Sequence, residues 1–195
     1  MELTMEVREA IKKYDPMKPY TYADYITWGD DLRCELFDGE IIVMEAPSID
    51  HQRVSRDLTV KFAVFLEGKK CEVFAAPFDV CLFGQGDLET TILQPDIVII
   101  CDDSKFDKKK CNGAPDLVIE ILSPSTMKYD KHKKSDKYMQ AGVREYWMVD
   151  PVNKNVSVCI FEKDNYSIGY YDNDDTVPVF ILDGLTVPLK DIFKY

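Results

Sequence analysis

The chain is poor in the residues from which protein zinc sites are made. It has two histidines, His51 and His132, and none of its six cysteines forms a Cys-x-x-Cys pair. Structural zinc sites need closely spaced cysteines and histidines, so these spacings argue against one. Most of the cysteines lie among strand-forming residues, where a thiol behaves as a small buried hydrophobe. We therefore interpret all six as free thiols, at positions 34, 71, 81, 101, 111 and 159.

Long apolar runs are also missing. No stretch of the sequence is apolar over the length needed to cross a bilayer. Residues 1–6 are acidic and lack the basic flank and apolar stretch of a signal peptide. From the residues alone we expect a protein of the cytoplasm with no membrane partner.

Positive charge is in deficit. There are 24 Lys and Arg against 35 Asp and Glu, which gives a formal net charge of -11. Proteins that hold DNA by its phosphates usually present a basic face, so a simple basic-patch binder is disfavoured. Lysines are nevertheless clustered in residues 105–110 and 128–137. These runs are either local phosphate contacts or solvated surface.

The first half of the sequence predicts a helix, a hairpin and a second helix. A chain of 195 residues is long enough for one domain with its own core, here spanning 1–195 with an N-terminal helical extension over about 1–20. Thr21 caps a short helix through Trp28. Residues 33–37 and 40–45 flank Asp38-Gly39, a strong hairpin signal. A long amphipathic helix follows from Ser48 to about residue 66.

The second half alternates strands with one helix. Residues 96–101 and 116–122 are nearly continuous apolar runs, as expected of strands buried on both faces. Residues 102–114 are polar and predict a loop. A helix is predicted over 129–141, ended by Gly142, and a strand over 145–149. Strand, helix and strand in this order form a βαβ-like unit and favour an α/β fold.

Two carboxylates stand beside apolar runs. Asp96 opens one run and Glu120 ends the other. A buried carboxylate is costly unless it is paired, protonated or bound to a metal, and two on adjacent strands favour Mg²⁺ or Mn²⁺. Such an ion can activate water and stabilise charge on a phosphate. The alternative is that each carboxylate accepts hydrogen bonds at a strand end, and for Asp96 alone that alternative is favoured.

A cation should complete such a site. The strand position two residues after Glu120 holds Leu122, so the cation must come from elsewhere. On the predicted helix, Lys134 shares a face with Tyr138 and Ala141, and we expect that face to meet the sheet. Lys131 and Lys137 flank it. The alternative for Lys134 is a surface lysine whose stem lies along the helix.

Several long strings of the sequence resemble one family. They are Gln94-Pro95-Asp96-Ile97-Val98, residues 113–126 (GAPDLVIEILSPST) and residues 141–151 (AGVREYWMVDP), with shorter matches at 35–40, 47–48, 51 and 76–80. Over residues 20–193 the chain resembles the Uma-type restriction endonucleases of the PD-(D/E)XK nuclease superfamily.

The resemblance implies a fold, an activity and a set of site residues. The fold is a restriction-endonuclease-like mixed central β-sheet flanked by helices, and the activity is hydrolysis of phosphodiesters with a divalent metal. Asp96 and Glu120 take the positions of the metal carboxylates. Lys134 is the displaced counterpart of the superfamily lysine, and Glu35 completes the metal shell. His51 matches a family histidine and is either a candidate phosphate contact at a helix N-terminus or a capping or core histidine.

The leading hypothesis is a Mg²⁺- or Mn²⁺-dependent endonuclease acting on DNA, with Lys131 and Lys137 as further DNA contacts. Cutting both strands needs two active sites, which favours a homodimer, and the tail tyrosines at 166, 170 and 171 are candidate interface residues. Three alternatives stay open. They are a non-catalytic nucleic-acid-binding or regulatory module, a hydrolase of another phosphate ester, and a structural protein whose acidic site holds an ion.

Overall fold

A computed structural model describes residues 14–15, 18–28, 33–123, 133–162 and 165–195. Most of the predicted N-terminal extension therefore lies outside the described residues, as do Lys131 and the first part of the helix predicted over 129–141. Within the described ranges, no helix combines the length and the apolar character that a membrane crossing requires.

The described elements follow one another in this order: α1 (Tyr22–Tyr25), β1 (Cys34–Phe37), β2 (Glu40–Val43), α2 (Ile49–Leu66), β3 (Glu72–Ala75), β4 (Asp79–Cys81), β5 (Ile92–Leu93), β6 (Ile97–Ile100), β7 (Phe106–Asp107), β8 (Lys110–Asn112), β9 (Leu117–Ile121), α3 (Ser135–Ala141), β10 (Glu145–Asp150), β11 (Asn155–Glu162), β12 (Asn165–Asp172), β13 (Thr176–Pro178) and β14 (Thr186–Pro188). Short 3₁₀ turns lie at Gly86–Leu88, Asp103–Lys105 and Leu189–Asp191.

The strands form two large sheets and one hairpin. The N-terminal sheet has the order β2-β1-β5-β4-β8-β7, and the central sheet has the order β12-β11-β10-β9-β6-β3. Strands β13 and β14 pair with each other. The central sheet is mixed, because β9 and β10 run parallel while its other neighbours run antiparallel. The predicted α/β architecture with a mixed central sheet is confirmed.

The predicted hairpin is present with the expected turn. Phe37 lies opposite Glu40, so Asp38 and Gly39 form a two-residue connection. Their φ angles are 53° and 83°, which is the backbone twist that suits the right-handed twist of the flanking strands. All four residues of β1 are buried, Glu35 among them.

Helix α2 begins and ends where its sequence predicts. The Ser48 hydroxyl oxygen accepts a hydrogen bond from the His51 amide at 3.2 Å, which caps the first turn. Val54, Leu58 and Phe62 are buried on one stripe and pack against one face of the central sheet. The cap places His51 in the first turn, at the end of the helix that meets the site.

Strand β9 divides its side chains between two cores. Leu117, Ile119 and Ile121 pack in the core that contains α2. Val118 points into the other core, which contains Tyr138 of α3. Because side chains alternate along a strand, Glu120 faces the α3 side as well. The predicted β–α–β arrangement thus brings a carboxylate under a helix.

Two expectations were wrong at the level of local structure. The segment 102–114 is not only a loop, because it contains β7 and β8, and β8 pairs parallel to β4. Helix α1 ends at Tyr25 rather than near Trp28, although Asp24 accepts a hydrogen bond from the Thr21 amide at 3.0 Å as its capping pattern predicts. Of the two strands in 102–114, only β7 lies at the edge of the sheet, whereas β8 pairs with both β4 and β7 and buries Lys110 and Cys111.

The expectation of six free thiols was also wrong. Cys71 and Cys101 form a disulfide. In the pairing of β3 with β6, Glu72 lies opposite Ile100. The next pair of positions outward is Cys71 and Cys101, which are therefore adjacent. The two cysteines are 30 residues apart in sequence, and only the strand register brings them together. The other four, Cys34, Cys81, Cys111 and Cys159, are free and buried.

Candidate active site

A cavity of about 340 Å³ is lined by residues from distant parts of the chain. Its walls come from the β1–β2 hairpin, the first turn of α2, the segment before β6, the end of β9 and Lys134 just before α3. The side chains that matter for chemistry are Glu35, His51, Gln94, Asp96, Glu120 and Lys134.

Lys134 is the buried cation of this cavity. Its Nζ donates to Glu120 Oε1 at 2.9 Å and to Glu35 Oε1 at 3.1 Å. All three side chains are almost fully buried. A buried ammonium is tolerated because two carboxylates compensate its charge. The helix face inferred from the sequence therefore does direct Lys134 inward, to the two glutamates.

Glu120 has a second donor from the same helix region. The Tyr138 hydroxyl donates to Glu120 Oε1 at 2.6 Å. Full burial raises the pKa of Tyr138 well above its ordinary value, and the negative charge of Glu120 raises it further. The hydroxyl is therefore protonated at any working pH and acts only as a donor to the carboxylate.

Asp96 is held at the start of β6 by a neighbouring strand and by α2. Its Oδ2 accepts a hydrogen bond from the Ile121 amide at 2.7 Å and lies 3.2 Å from His51 Nε2. Its other oxygen, Oδ1, has no hydrogen-bond donor in the described part of the chain. Two anchors on one oxygen fix the carboxylate and leave the other oxygen for a ligand.

Glu35 is oriented by the segment that leads to Asp96. The Gln94 amide donates to Glu35 Oε1 at 2.8 Å. The Gln94 side chain is itself anchored, since its Nε2 donates to Asp79 Oδ1 at 2.8 Å and to the Tyr25 hydroxyl at 3.1 Å. Gln94 Oε1 and His51 Nδ1 are buried atoms that find no partner among the described residues. Buried polar atoms normally have a hydrogen-bond partner, so these two atoms indicate that the cavity holds water or a polar ligand.

The cavity is acidic. Five carboxylates line it, against the two basic side chains of Arg33 and Lys134. An anionic phosphate entering here would be repelled unless another cation neutralised part of this charge. Lys137 does not supply that charge, because its Nζ pairs with Asp38 at 2.6 Å in the β1–β2 turn and it does not line the cavity.

Three lysines of the two clusters are engaged within the protein. Lys105 donates to the Ala114 carbonyl at 2.7 Å. Lys110 is buried, with its Nζ 3.4 Å from the centre of the Tyr22 ring. Lys134 is buried in the cavity as described. These three lysines therefore do not form an exposed basic surface.

Comparison with known proteins identifies the family. Residues 21–190 match the family model Uma2, described as "Putative restriction endonuclease". The chain belongs to the Uma2 family. Two proteins of Synechocystis sp. are also similar to it. The uncharacterized protein slr1290 is 27% identical over 169 residues, covering 82% of this chain and 78% of that protein. The uncharacterized protein sll1609 is 24% identical over 138 residues, covering 68% and 76%.

A solved structure supports the fold of this Uma2-family protein. The crystal structure of a putative nuclease belonging to DUF820 from Anabaena variabilis superposes with a TM-score of 0.66. The match covers 98% of both chains at 20% sequence identity. At that identity the match concerns the arrangement of strands and helices, which agrees with the mixed sheet and flanking helices expected from the sequence.

The donor set of the Uma2 site suits a small divalent cation. Within the described ranges, no group of three or more His, Cys, Asp or Glu side chains is arranged to hold a metal. Mg²⁺, however, is commonly bound by one or two carboxylates and several waters. Asp96 and Glu120 line the same acidic cavity, and Asp96 Oδ1 is available. The residues present therefore fit such an ion.

Three residues near the site carried little sequence signal. Arg33 is a single basic residue before a strand. Tyr25 and Gln94 belong to different elements, 69 positions apart, and meet only through their hydrogen bond. Gln94 precedes Asp96 in a string that resembles the family, and this string was the one available hint.

Proposed function

We propose that this protein is a metal-dependent endonuclease that hydrolyses phosphodiester bonds in DNA. The observation that carries the proposal is the meeting of Asp96, Glu120, Lys134 and Glu35 at one cavity. These residues come from four separate segments of the chain. An ion pair that served only stability would not need Asp96 beside it, anchored through one oxygen and with the other oxygen available.

Each residue has a distinct part in the proposal. Asp96 and Glu120 would hold Mg²⁺ or Mn²⁺, which when bound supplies a polarised water and charge stabilisation at the phosphate. Lys134 supplies fixed positive charge next to the reacting phosphate. Glu35 keeps the Lys134 ammonium in place and offers a further carboxylate to the metal shell.

Substrate binding falls to the rim of the cavity. Arg33 lies on the rim and can pair with a phosphate. His51 lies in the first turn of the 18-residue helix α2, where amide groups and the helix dipole favour an anion. Lys137, and Lys131 outside the described residues, stay candidate contacts farther along the DNA. A cytoplasmic location and a homodimeric state complete the proposal.

The test is cleavage of supercoiled plasmid with Mg²⁺ or Mn²⁺. We expect nicked and linear products from the wild type, and loss of cleavage in Asp96→Asn, Glu120→Gln and chelator. Asp174→Asn is the matched control, because it makes the same change at a carboxylate that is 81% exposed. Cleavage that persists in both site variants would show that the activity resides elsewhere.

A non-catalytic nucleic-acid-binding module is the second candidate. The observation that favours it is that Glu120 Oε1 already accepts from both Lys134 and Tyr138. A metal must share this carboxylate with two strong donors. Intact binding of a labelled DNA duplex with no cleavage under any divalent metal would select this candidate over the enzyme.

A further inference from the structure

Strand β12 forms an open edge of the central sheet. It has eight residues, and no strand pairs with its outer side within the described ranges. The opposite edge, β3, has four residues and packs beneath α2. An open edge exposes a row of backbone N–H and C=O groups that can pair with another strand.

The usual protections of an edge strand are missing from β12. Its sequence, Asn-Tyr-Ser-Ile-Gly-Tyr-Tyr-Asp, has no lysine, arginine or proline. Its pairing with β11 is continuous from Asn165 opposite Glu162 to Asp172 opposite Asn155, so no bulge bends the edge away. Natural proteins use these devices to prevent strand pairing between molecules, and their absence here leaves the edge competent to pair.

The two faces of β12 differ. On one face the Tyr171 ring lies over Gly169, so closely that a Cβ at Gly169 would be 2.8 Å from it. Tyr171 is partly buried against the core there. On the other face Tyr166, Ile168 and Tyr170 are 62%, 41% and 77% exposed. They line a groove of about 390 Å³ whose far wall includes α3.

The order of residues in β12 is self-complementary about Ile168. In an antiparallel pair of two identical strands centred there, Tyr166 lies opposite Tyr170 of the second copy, and Ser167 lies opposite its Gly169. Aromatic and aliphatic residues directly across from each other stabilise a strand pair. The paired segment, residues 165–171, contains no charged side chain. The chain as a whole carries a net charge of -11, so two copies repel over much of their remaining surface but not along this segment.

We propose that β12 pairs with β12 of a second copy of this chain, centred on Ile168, to form one sheet that runs through both molecules. The exposed tyrosine face is then covered by the same face of the second copy. The proposal commits to this edge, this register and this partner, and it stands whether or not the protein is a nuclease.

The pairing would also set the distance between two active sites, a consequence that does rest on the proposed nuclease function. A cross-strand row on one face of the sheet runs through Glu120, Met148, Ser157 and Tyr170. In the second copy the row meets Tyr166, whereas the other Glu120 lies in the row of Tyr170. The two Glu120 positions are therefore separated by seven strand spacings and by four residues along the strand, or ~36 Å before twist. One turn of B-form DNA spans a similar length.

The first experiment measures molecular mass by light scattering after gel filtration, at tens of micromolar protein. The chain has a mass of 22.5 kDa, and we expect twice this for the wild type. Ile168→Lys places a charge at the centre of the pairing and should give the monomer mass. Leu88→Lys is the control, because it adds the same charge at an apolar residue that is 74% exposed on a 3₁₀ turn.

A second variant keeps the test decisive if Ile168→Lys fails to fold. In Ile168→Cys the two introduced thiols face each other across the two-fold axis, so mild oxidation should give a covalent dimer on a non-reducing gel. Leu88→Cys should stay monomeric. The four native free cysteines are buried and do not compete.

Three results would overturn the proposal. They are a monomeric wild type, a dimer that survives a folded Ile168→Lys, and a failure of Ile168→Cys to cross-link. A monomeric wild type whose affinity for single-stranded DNA falls in Ile168→Lys would instead assign this face to nucleic acid. None of these readings depends on cleavage, so failure of the nuclease proposal and failure of the interface are distinguishable.

Discussion

Replacing the buried lysine tests the electrostatics of the cavity most directly. Lys134→Met removes the ammonium that lies 2.9 Å from Glu120 and 3.1 Å from Glu35 while keeping a side chain of similar shape. Both carboxylates are at most 5% exposed, so water can solvate their uncompensated negative charge only poorly. Breaking a buried ion pair in this way costs about 3–5 kcal/mol of the free energy of unfolding.

The assay is urea unfolding followed by circular dichroism. Lys137→Met is the matched control, because the same substitution three residues farther on removes an ion pair with Asp38, whose side chain is 54% exposed. That loss should cost about 0–1 kcal/mol. Adding Glu35→Gln to Lys134→Met should restore part of the lost stability, since it removes one of the two buried negative charges.

A loss below about 1 kcal/mol for Lys134→Met would refute this reasoning, because it would place the lysine in the range of exposed ion pairs. It would mean that water screens the three charges and that the cavity does not hold them in a low-dielectric environment. Equal losses for Lys134→Met and Lys137→Met would lead to the same conclusion.

Three further predictions follow from the buried groups. Tyr138→Phe removes the 2.6 Å hydrogen bond to Glu120 and should lower the free energy of unfolding by about 1–3 kcal/mol, measured by urea titration. Burial raises the pKa of the Cys111 thiol to about 11, so iodoacetamide at pH 8 should leave it unmodified in the folded protein, as checked by peptide mass spectrometry. Burial raises the pKa of Glu145, a shift that the hydrogen bond from Trp147 partly opposes. A raised folded-state pKa contributes stability at low pH that is lost as the pH rises through that pKa. The stability of Glu145→Gln relative to the wild type should therefore increase between pH 4 and pH 7, and a constant difference would contradict the shift.

Local chemistry was enough to predict several elements. Asp38-Gly39 predicts its hairpin because both residues tolerate the positive φ angles that a two-residue turn requires. Ser48 and the apolar stripe that follows it predict α2 from start to end, because capping and helical periodicity are properties of neighbouring residues. Alternation along β9 places Glu120 on the face opposite Ile119 without any knowledge of the rest of the chain.

The sequence predicted only part of the candidate site. Carboxylates beside apolar runs and a lysine on an inward helix face are visible as patterns. The partners of Lys134 are not, since Glu35 lies 99 residues away. The same holds for His51 and Asp96, which are 45 residues apart and meet where α2 begins beside the start of β6.

The sequence by itself therefore determined the hairpin, the long helix, the buried strands and the faces on which Glu120 and Lys134 lie. Tertiary structure alone decided that Cys71 and Cys101 bond, that β8 joins the N-terminal sheet, and that Gln94 links Tyr25 to Glu35. The physical reason is the range of the interactions. Dihedral preferences and periodicity act over a few neighbouring residues, whereas ion pairs, disulfides and sheet register join segments whose proximity depends on how the whole core packs.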